Sequence, residues 1–334
     1  VPLVRDGAHT AVMAAARDHA GDVTVVRAAC GALRNLSIAS DNAVPLVRDG
    51  AHTAIMTAAR ARDSDVEVAR TVCHTLGNLA VADGNQVPLV RDGAHTALMA
   101  AARAHAGDVE VAQVACRALQ HLASAFDNLG PLVRGGAHTA VTAAMRAHAG
   151  DVEVVRAACA VLGNLTVACV TLVRDGAHTT VIAAALAHAR DVEVARHVCT
   201  VLGNMACIAD SQVPLVRDGA HTAVMAAARA HAGDVRIARA ACGALRNLAT
   251  AADTRVPLVR DGAHTALMAA ARIHAGDVEV VGASFGALQS LADAPDNRVP
   301  LARDGVHTAV MAMMRAHNGA PGFISHAASP VSHR

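Results

Sequence analysis

One hexapeptide, Arg-Asp-Gly-Ala-His-Thr, recurs along the chain and constrains its fold more than any other feature. It occurs six times unchanged, and two further copies, which begin at Arg134 and Arg303, each differ at one position. The surrounding repeats begin at residues 1, 44, 87, 130, 170, 213, 256 and 299, so the period is 43 residues except for one step of 40. A unit of this size is too small to bury a stable core alone. The repeats must therefore stack on one another as one elongated array.

Composition and the pattern inside each repeat favour helices. The chain is rich in Ala, Val, Leu and Arg and has no Lys, Trp or Tyr, whereas a propeller of similar period needs β-branched and aromatic strands. In the fourth repeat, Pro131 suits the first turn of a short helix, and a second helix is expected from about Ala137 to His148. Asp151 suits the N-cap of a third helix. The apolar residues of that helix have amphipathic spacing and are Val152, Val155, Cys159, Leu162 and Leu165.

The net charge limits the expected classes of partner, and the cysteines indicate the cellular compartment. The net charge of +1 gives no general attraction to nucleic acid or to a membrane surface. No apolar run reaches the roughly 18 residues of a membrane span. Six of the eight cysteines fill one slot of the repeat, Cys30, Cys73, Cys116, Cys159, Cys199 and Cys242. Equivalent positions in stacked helices lie about 10 Å apart, too far for a disulfide. Free thiols predict a reducing intracellular compartment, the cytoplasm.

Two rows of histidines recur with the repeat. The first row, in the hexapeptide, comprises His9, His52, His95, His138, His178, His221, His264 and His307. The second row, ten residues on, comprises His19, His105, His148, His188, His231, His274 and His317. Metal ligands must lie within about 2 Å of one ion, whereas equivalent histidines of neighbouring repeats are about 10 Å apart. We therefore expect a structural role, with no metal, no cofactor and no catalytic residue. A pH-sensitive surface role stays open.

The rest of the hexapeptide is interpreted as a helix boundary. Arg and Asp are expected to end the short helix, Gly to form the turn, and Ala-His-Thr to begin the second helix. The repeat is then a short, a medium and a long helix.

This three-helix repeat resembles the armadillo repeat. In that family an Asn opens the short helix, a Gly follows eight residues later, and the third helix ends in an Ala-Leu-x-Asn-Leu signature. Here Asn42 and Gly50 keep that gap, and the segments from Gly31 and Gly243 read Gly-Ala-Leu-Arg-Asn-Leu. The resemblance covers residues 1–317 and implies an all-α fold, an α-solenoid that forms a right-handed superhelix of about eight repeats. The repeats lie near 1–43, 44–86, 87–129, 130–169, 170–212, 213–255, 256–298 and 299–317, and 318–334 form an irregular tail.

The resemblance also implies a binding site. In that family the third helices line a concave groove, where an Asn row hydrogen-bonds the backbone of an extended peptide. An amide side chain can do so because it both donates and accepts. The matching asparagines and a Glu row eleven residues before them are Asn35, Asn78, Asn164, Asn204 and Asn247, with Glu67, Glu110, Glu153, Glu193 and Glu279. His121 and Ser290 replace the Asn in two copies. Alternatively, the asparagines bridge repeats and the glutamates are merely solvated.

One difference from the family pattern limits the classes of ligand that are expected. Nuclear-import adaptors of this family carry Trp four residues before the Asn, and the residues here are Gly31, His74, Arg117, Ala160, Thr200, Gly243 and Gly286. Classical nuclear-signal binding is therefore not predicted, and neither is a basic groove.

We predict a non-catalytic protein–protein interaction scaffold that binds an extended peptide or partner protein along this groove. Two alternatives stay open. One is a structural subunit that packs into a large assembly through its outer faces or ends, and the other is a solenoid enzyme, for which no catalytic constellation recurs. Apolar faces near Val1 and Met311–Met314 predict end-to-end self-association, further repeats upstream, or coverage by Phe323 and Ile324 of the tail.

One junction breaks the period. Between Leu165 and Leu172 three residues are missing, the Asn among them, and Thr171 replaces the proline. Three residues correspond to about 300° of helix rotation, so an unbroken helix would misdirect the apolar stripe. We expect a separate, shortened first helix in the fifth repeat and a kink in the stacking there.

Overall fold

The computed structural model of this chain describes residues 2–165 and 169–316, apart from the side chains of Cys169 and Met314. The described residues are helical and contain no β-strand. The chain divides into two compact units, Val1–Val167 and Ala168–Arg334. Within each unit, successive repeats stack so that each third helix packs on the third helix of the next repeat. The predicted all-α solenoid is confirmed.

The helices follow the predicted order of short, medium and long in the first seven repeats, and the eighth has its first two helices among the described residues. Unit one contains α1 (Pro2–Arg5), α2 (Ala8–Asp18), α3 (Val23–Ser37), α4 (Ser40–Arg48), α5 (Ala51–Ala61), α6 (Val66–Ala80), α7 (Gln86–Arg91), α8 (Ala94–Ala104), α9 (Val109–Leu122), α10 (Phe126–Arg134), α11 (Ala137–Ala147) and α12 (Val152–Asn164). Unit two contains α13 (Cys169–Arg174), α14 (Ala177–Ala187), α15 (Val192–Met205), α16 (Ala209–Arg217), α17 (Ala220–Ala230), α18 (Val235–Leu248), α19 (Ala252–Arg260), α20 (Ala263–Ile273), α21 (Val278–Ala292), α22 (Arg298–Arg303) and α23 (Val306–Ala316). A 3₁₀ turn, Pro295–Asn297, precedes α22.

The hexapeptide forms the boundary between short and second helix, as predicted. Arg48 ends α4, and Gly50 follows with φ 85° and ψ 20°, a left-handed conformation that favours glycine. The Thr53 hydroxyl donates to the carbonyl of Gly50 at 3.0 Å, in the first turn of α5. The same left-handed glycine recurs in every copy, at Gly7, Gly50, Gly93, Gly136, Gly176, Gly219, Gly262 and Gly305.

An aspartate caps the start of each described third helix. Asp151 has extended φ and ψ, and its carboxylate accepts the Val154 N–H at 2.9 Å, which confirms the predicted cap. This amide is the main cause that lowers the pKa of Asp151. The equivalent caps are Asp22, Asp65, Asp108, Asp191, Asp234 and Asp277.

Short helices are tied to the third helix that precedes them. Asn42 is buried, and its Nδ2 donates to the carbonyl of Leu36, near the end of α3, at 2.8 Å. The bond satisfies one of the carbonyls that a helix end leaves open. The same bond recurs from Asn85 to Leu79, from Asn128 to Leu122 and from Asn297 to Leu291.

The prediction that Pro131 lies in a first helical turn is wrong. Helix α10 begins at Phe126, so Pro131 is internal, as are the prolines of α4, α16 and α19. An internal proline leaves the carbonyl four residues earlier without its N–H donor. That residue is Asp127, which is exposed, so water can reach its carbonyl.

The apolar stripe of the third helices forms the core. Of the five predicted residues, Val155, Cys159, Leu162 and Leu165 are at most 1% exposed, and Val152 at the start of α12 is half-buried. The six cysteines of the repeated slot are buried and free, so the prediction of unpaired thiols is confirmed. Burial raises the pKa of Cys159 to about 12, which keeps this thiol protonated and inert.

The irregular junction contains the predicted separate helix. Helix α12 ends at Asn164, and α13 has six residues against nine in α16. Helix α7 also has six residues, so the length alone does not distinguish this junction. Residues 166–168 lie outside the described residues, and the kink stays a prediction. The predicted tail, with Phe323 and Ile324, also lies outside them.

Candidate functional site

The histidines of the hexapeptide connect neighbouring repeats. His52 is 3% exposed, and its Nε2 lies 3.0 Å from Oδ2 of Asp92 in the next copy of the motif. Because a carboxylate only accepts, this Nε2 donates the hydrogen. The same pairing over 40 residues joins His9 to Asp49, His178 to Asp218, His221 to Asp261 and His264 to Asp304, at 2.8–2.9 Å. These contacts give the histidines the structural role expected of them.

Each of these aspartates also holds the arginine beside it. Arg48 Nε donates to Asp49 Oδ1 at 2.9 Å, while His9 occupies Oδ2. Arg48 and then His9 lower the pKa of Asp49. The equivalent contacts lower the pKa of Asp218 and of Asp261 to about 2. The inter-repeat pairing was not predicted, although the fixed offset between each histidine and the next aspartate was visible in the sequence.

One described copy lacks the aspartate. Gly135 stands in its place, next to the half-buried His95. A Cβ added at Gly135 would lie 3.1 Å from Cδ2 of His95, so the ring sits against the glycine. Burial lowers the pKa of His95. The contact between the third and fourth repeats therefore lacks the His–Asp pair.

The second histidine row also contacts a neighbouring repeat. His105 Nε2 donates to the backbone carbonyl of Asp63, 42 residues earlier, at 2.9 Å. His231 and His274 bind the carbonyls of Ala189 and Ala232 in the same way. Among the described residues, no group of three or more His, Cys, Asp or Glu side chains could hold a metal ion.

The candidate binding residues lie on one face of the stacked third helices, where Asn204 and Asn247 are buried and the others are exposed or half-buried. We call the side of α3, α6, α9 and α12 the unit-one surface and the side of α15, α18 and α21 the unit-two surface. Neighbouring third helices pack side by side in each unit, so equivalent positions form rows across them.

The asparagine row is largely exposed to solvent on the unit-one surface. Asn35 and Asn164 are exposed. Asn78 is half-buried, and its Nδ2 donates to Ser37 Oγ of the preceding repeat at 3.0 Å. Two of these three amides therefore face solvent, while the third bridges repeats.

The asparagine row is buried on the unit-two surface. Asn204 and Asn247 are only 6% and 4% exposed. Asn247 Nδ2 donates to the carbonyl of Gly203 and to Cys207 Sγ, both at 3.1 Å. The alternative interpretation, that the asparagines bridge repeats, therefore applies to Asn247 as well as to Asn78.

The glutamate row is half-exposed and paired with arginines. Glu67 accepts from Arg70 at 2.8 Å, and Glu153 accepts from Arg156 at 2.7 Å. Glu110 lies 3.2 Å from Arg70 of the preceding repeat. In unit two, Glu193 accepts from Arg196 at 3.1 Å, and Glu279 lies 3.5 Å from Arg239. The glutamates do not form a free acidic strip.

These arginines form a row that sequence reasoning missed. Each lies five residues after the N-cap aspartate of its own helix, and Arg27, Arg70 and Arg239 reach the N-cap aspartate of the next repeat. Arg70 Nε donates to Asp108 Oδ1 at 3.3 Å, over 38 residues. The same bond joins Arg27 to Asp65, Gln113 to Asp151 and Arg239 to Asp277. The result is a surface of alternating, mutually neutralised charges.

The row four residues before the asparagines carries no Trp, Tyr or Phe in the described helices. His74 Nε2 lies 3.2 Å from Glu110 Oε1, so this histidine belongs to the charged network. The unit-one surface thus offers exposed amides beside paired charges. Such groups can hydrogen-bond a peptide backbone. None of the described helices is long and apolar enough to cross a membrane.

Comparison with known proteins supports the fold. No model of a known protein family and no curated protein matches the chain. A solved structure from a study of the phosphorylation switch that controls the interaction between cadherin and beta-catenin is similar to 86% of this chain, with a TM-score of 0.65 and 16% identity. This chain covers 65% of that chain. A solved structure of an engineered protein aligns over 86% of this chain and 97% of its own, with 18% identity and a TM-score of 0.42. The first similarity shows an armadillo-type solenoid fold.

Proposed function

We propose that this chain is an armadillo-repeat protein that acts as a non-catalytic scaffold and binds an extended segment of a partner protein along the unit-one surface. The observation that carries the proposal is the exposure of Asn35 and Asn164 at equivalent positions of stacked third helices. The similar structure of the cadherin and beta-catenin study supports an interaction role for such a fold. The free thiols support a reducing, intracellular location.

The proposed site in unit one consists of Asn35, Asn78, Asn164, Glu67, Glu110 and Glu153. Exposed amides can donate to and accept from a peptide backbone without selecting a side chain. The glutamates already pair with arginines, so they add little attraction for a basic ligand. We therefore expect a ligand that binds mainly through its backbone and carries no strong net charge.

The unit-two residues of the row take a smaller part in this proposal. Asn204 and Asn247 are buried, so their amides do not face a ligand. Glu193 and Glu279 remain accessible beside Arg196 and Arg239. We expect them to modulate binding weakly.

Selection of displayed random peptides on the intact chain tests the proposal. The double variant Asn35→Ala, Asn164→Ala should weaken the affinity of selected peptides about tenfold, because two net hydrogen bonds are lost. Gln289→Ala is the matched control, since it removes an exposed amide of α21 in unit two. Fluorescence polarisation measures the dissociation constants. An unchanged affinity of the double variant for all selected peptides would overturn the proposal.

A structural subunit is the second candidate, and one observation favours it. The first valine of the short helices is exposed in both units, with Val44 at 51%, Val87 at 42% and Val213 at 44%. Such a repeated apolar row suits packing against another protein. If this row mediates assembly, Val44→Ser with Val87→Ser will abolish it, and the asparagine variants will leave it unchanged. Size-exclusion chromatography with light scattering distinguishes the two outcomes.

A further inference from the structure

Two donors lack a shared acceptor in the copy of the hexapeptide where glycine replaces the aspartate. In the copy before it, Asp92 accepts Arg91 Nε on Oδ1 at 2.9 Å and His52 Nε2 on Oδ2 at 3.0 Å. The Asp92 side chain is 29% exposed, so solvent reaches this contact. Four further aspartates bind an arginine and a histidine in the same way, Asp49, Asp218, Asp261 and Asp304. At Gly135 only the carboxylate is missing, since the arginine and the histidine remain.

The histidine at this position is accessible and lacks a close acceptor. His95 is half-buried, whereas six of its counterparts are at most 5% exposed. Its Nε2 lies 3.4 Å from the Thr96 hydroxyl, a longer contact than the 2.8–3.0 Å of the five histidine–aspartate pairs. The carbonyl of Val90 is a further acceptor near the ring. Nε2 of His95 is therefore available to a stronger acceptor from outside.

The arginine at this position is also available. Arg134 is exposed and has no ion pair or hydrogen bond with another described residue. Its Nη1 lies 3.2 Å from the place where a Cβ on Gly130 would be. Other short helices carry an exposed valine at that position, such as Val44 and Val87. Glycines thus replace both side chains that flank this arginine elsewhere, which leaves its guanidinium group open to a ligand.

The backbone at Gly135 keeps the geometry of a complete copy. Its φ of −73° and ψ of −9° are close to the −87° and 4° of Asp92. The Gly135 N–H donates to the Pro131 carbonyl at 2.9 Å, as the Asp92 N–H does to the Pro88 carbonyl at 3.0 Å. The His95 ring lies against Gly135, because a Cβ there would be 3.1 Å from its Cδ2. A ligand would therefore lie on the exposed side of Gly135, between the two donors.

We propose that His95, Arg134 and Gly135 form a binding site for a carboxylate supplied from outside the chain. One oxygen of the ligand accepts His95 Nε2–H, and the other accepts the Arg134 guanidinium, as the oxygens of Asp92 do in the neighbouring copy. Arginine suits this ligand because its hydrogen bonds to carboxylates are charge-assisted. An Asp or Glu side chain of a partner and a small free carboxylate present the same group. The proposal does not depend on peptide binding to the unit-one surface.

Acetate is the probe for this chemistry. The full chain is prepared with isotope-labelled histidine and titrated with acetate at constant pH and ionic strength. The ring resonances of His95, assigned by their loss in His95→Gln, should shift saturably with a dissociation constant in the millimolar range. Chloride at the same concentrations should leave them unchanged. The peptide acetyl-Gly-Glu-Gly-amide distinguishes the two sources of the carboxylate, because tighter binding than that of acetate indicates a partner side chain and equal binding indicates a free carboxylate.

Two variants fill the site or create a second one. Gly135→Asp supplies a carboxylate of the chain itself and should abolish the response of His95 to acetate. Asp92→Gly removes the carboxylate beside His52, so the ring of His52 should then respond to acetate as well.

A third variant tests the arginine. Arg134→Gln should weaken acetate binding about fivefold, because a charge-assisted hydrogen bond is lost. Arg103→Gln is the matched control, since Arg103 is exposed on α8 and bonds only to the carbonyl of Met99 in its own helix.

Three results would overturn the proposal. They are the absence of a saturable shift at His95, an equal shift with chloride, and a shift that persists in Gly135→Asp. The second result would identify a general effect of anions, and the third would place the acetate elsewhere on the chain.

Discussion

At the scale of single residues, five aspartates of the hexapeptide, Asp49, Asp92, Asp218, Asp261 and Asp304, each join two repeats through one carboxylate. Asp92 accepts Arg91 Nε on Oδ1 at 2.9 Å and His52 Nε2 on Oδ2 at 3.0 Å. Because His52 is buried, loss of the carboxylate would leave its N–H without an acceptor. An unsatisfied buried donor of this kind destabilises a protein by about 1–3 kcal/mol. Each such contact needs the histidine of one copy of the hexapeptide and the aspartate of the next, so an inner repeat needs both residues.

Replacement of Gly135 by Asp should stabilise the chain. The backbone at Gly135 has φ −73° and ψ −9°, close to the φ −87° and ψ 4° of Asp92, so an aspartate fits there. Its carboxylate would accept from His95, which must first move a few tenths of an ångström away from the new Cβ. We expect a gain of about 1 kcal/mol in the free energy of unfolding, measured by urea titration.

The reverse substitution is the matched control. Asp92→Gly removes the acceptor of His52 in the same unit and should lower the free energy of unfolding by about 1–3 kcal/mol. If Gly135→Asp destabilises the chain, or if Asp92→Gly leaves its stability unchanged, the His–Asp pairs do not hold the repeats together.

The same pairs predict a pH dependence of stability. In the folded chain the pKa of Asp261 is about 2, below its ordinary value of 3.8, because Arg260 and then His221 bind the carboxylate. A lowered folded pKa gives stability that is fully present above pH 3.8 and is lost as the pH falls towards 2. The difference in urea midpoint between the unchanged chain and Asp261→Asn should therefore be largest above pH 4 and shrink between pH 4 and 2. A difference that grows on acidification would contradict this assignment.

At the scale of helices, four N-cap aspartates, Asp65, Asp108, Asp151 and Asp277, also bind a side chain of the preceding repeat. Asp108 accepts the Val111 N–H at 2.9 Å and also binds Arg70 of the preceding repeat. Asp22 caps α3 in the same way but meets no arginine of another repeat among the described residues. Asp108 therefore forms both the cap and the inter-repeat bond, whereas Asp22 forms only the cap.

Substitution of these caps separates the two roles. Asp108→Ala removes both and should lower the free energy of unfolding by about 2 kcal/mol. Asp22→Ala removes a cap alone and should have a smaller effect. Thermal unfolding followed by circular dichroism measures both variants. Equal losses would show that the bond between Arg70 and Asp108 adds no stability.

Most of the helical architecture could be predicted from the sequence because its signals are local. A left-handed glycine such as Gly50 and a cap such as Asp151 act within a few residues of their position, so the turns and helix starts follow from the repeat. The preference of Pro131 for a first turn misplaces the start of α10, whereas the Asn that opens the short helix in the resembled family indicates it correctly. Helix α10 begins at Phe126, and Asn128 near its start donates to the carbonyl of Leu122, six residues earlier.

The candidate site was only partly predictable, because its character depends on neighbouring repeats. The helical face that carries Glu67 and Asn78 follows from the spacing alone. Whether an asparagine is exposed depends on side chains from another repeat, as for Asn247 beside Cys207. The arginine row was missed for the same reason, since Arg70 reaches a residue 38 positions away.

At the scale of the whole molecule, two units built from near-identical repeats offer different surfaces. Unit one has exposed amides at Asn35 and Asn164, whereas the equivalent Asn204 and Asn247 of unit two are buried. We therefore expect an extended peptide to bind unit one.

Histidine footprinting with diethyl pyrocarbonate and mass spectrometry tests the central proposal, binding on the unit-one surface, most directly. His74 and His121 lie on this surface, in the rows of α6 and α9, and are partly exposed. His105 is also partly exposed but lies at the loop after α8, where it binds the carbonyl of Asp63. A peptide selected on the intact chain should slow modification of His74 and His121 and leave that of His105 unchanged. Protection of His105 without protection of His74 and His121 would contradict the proposal.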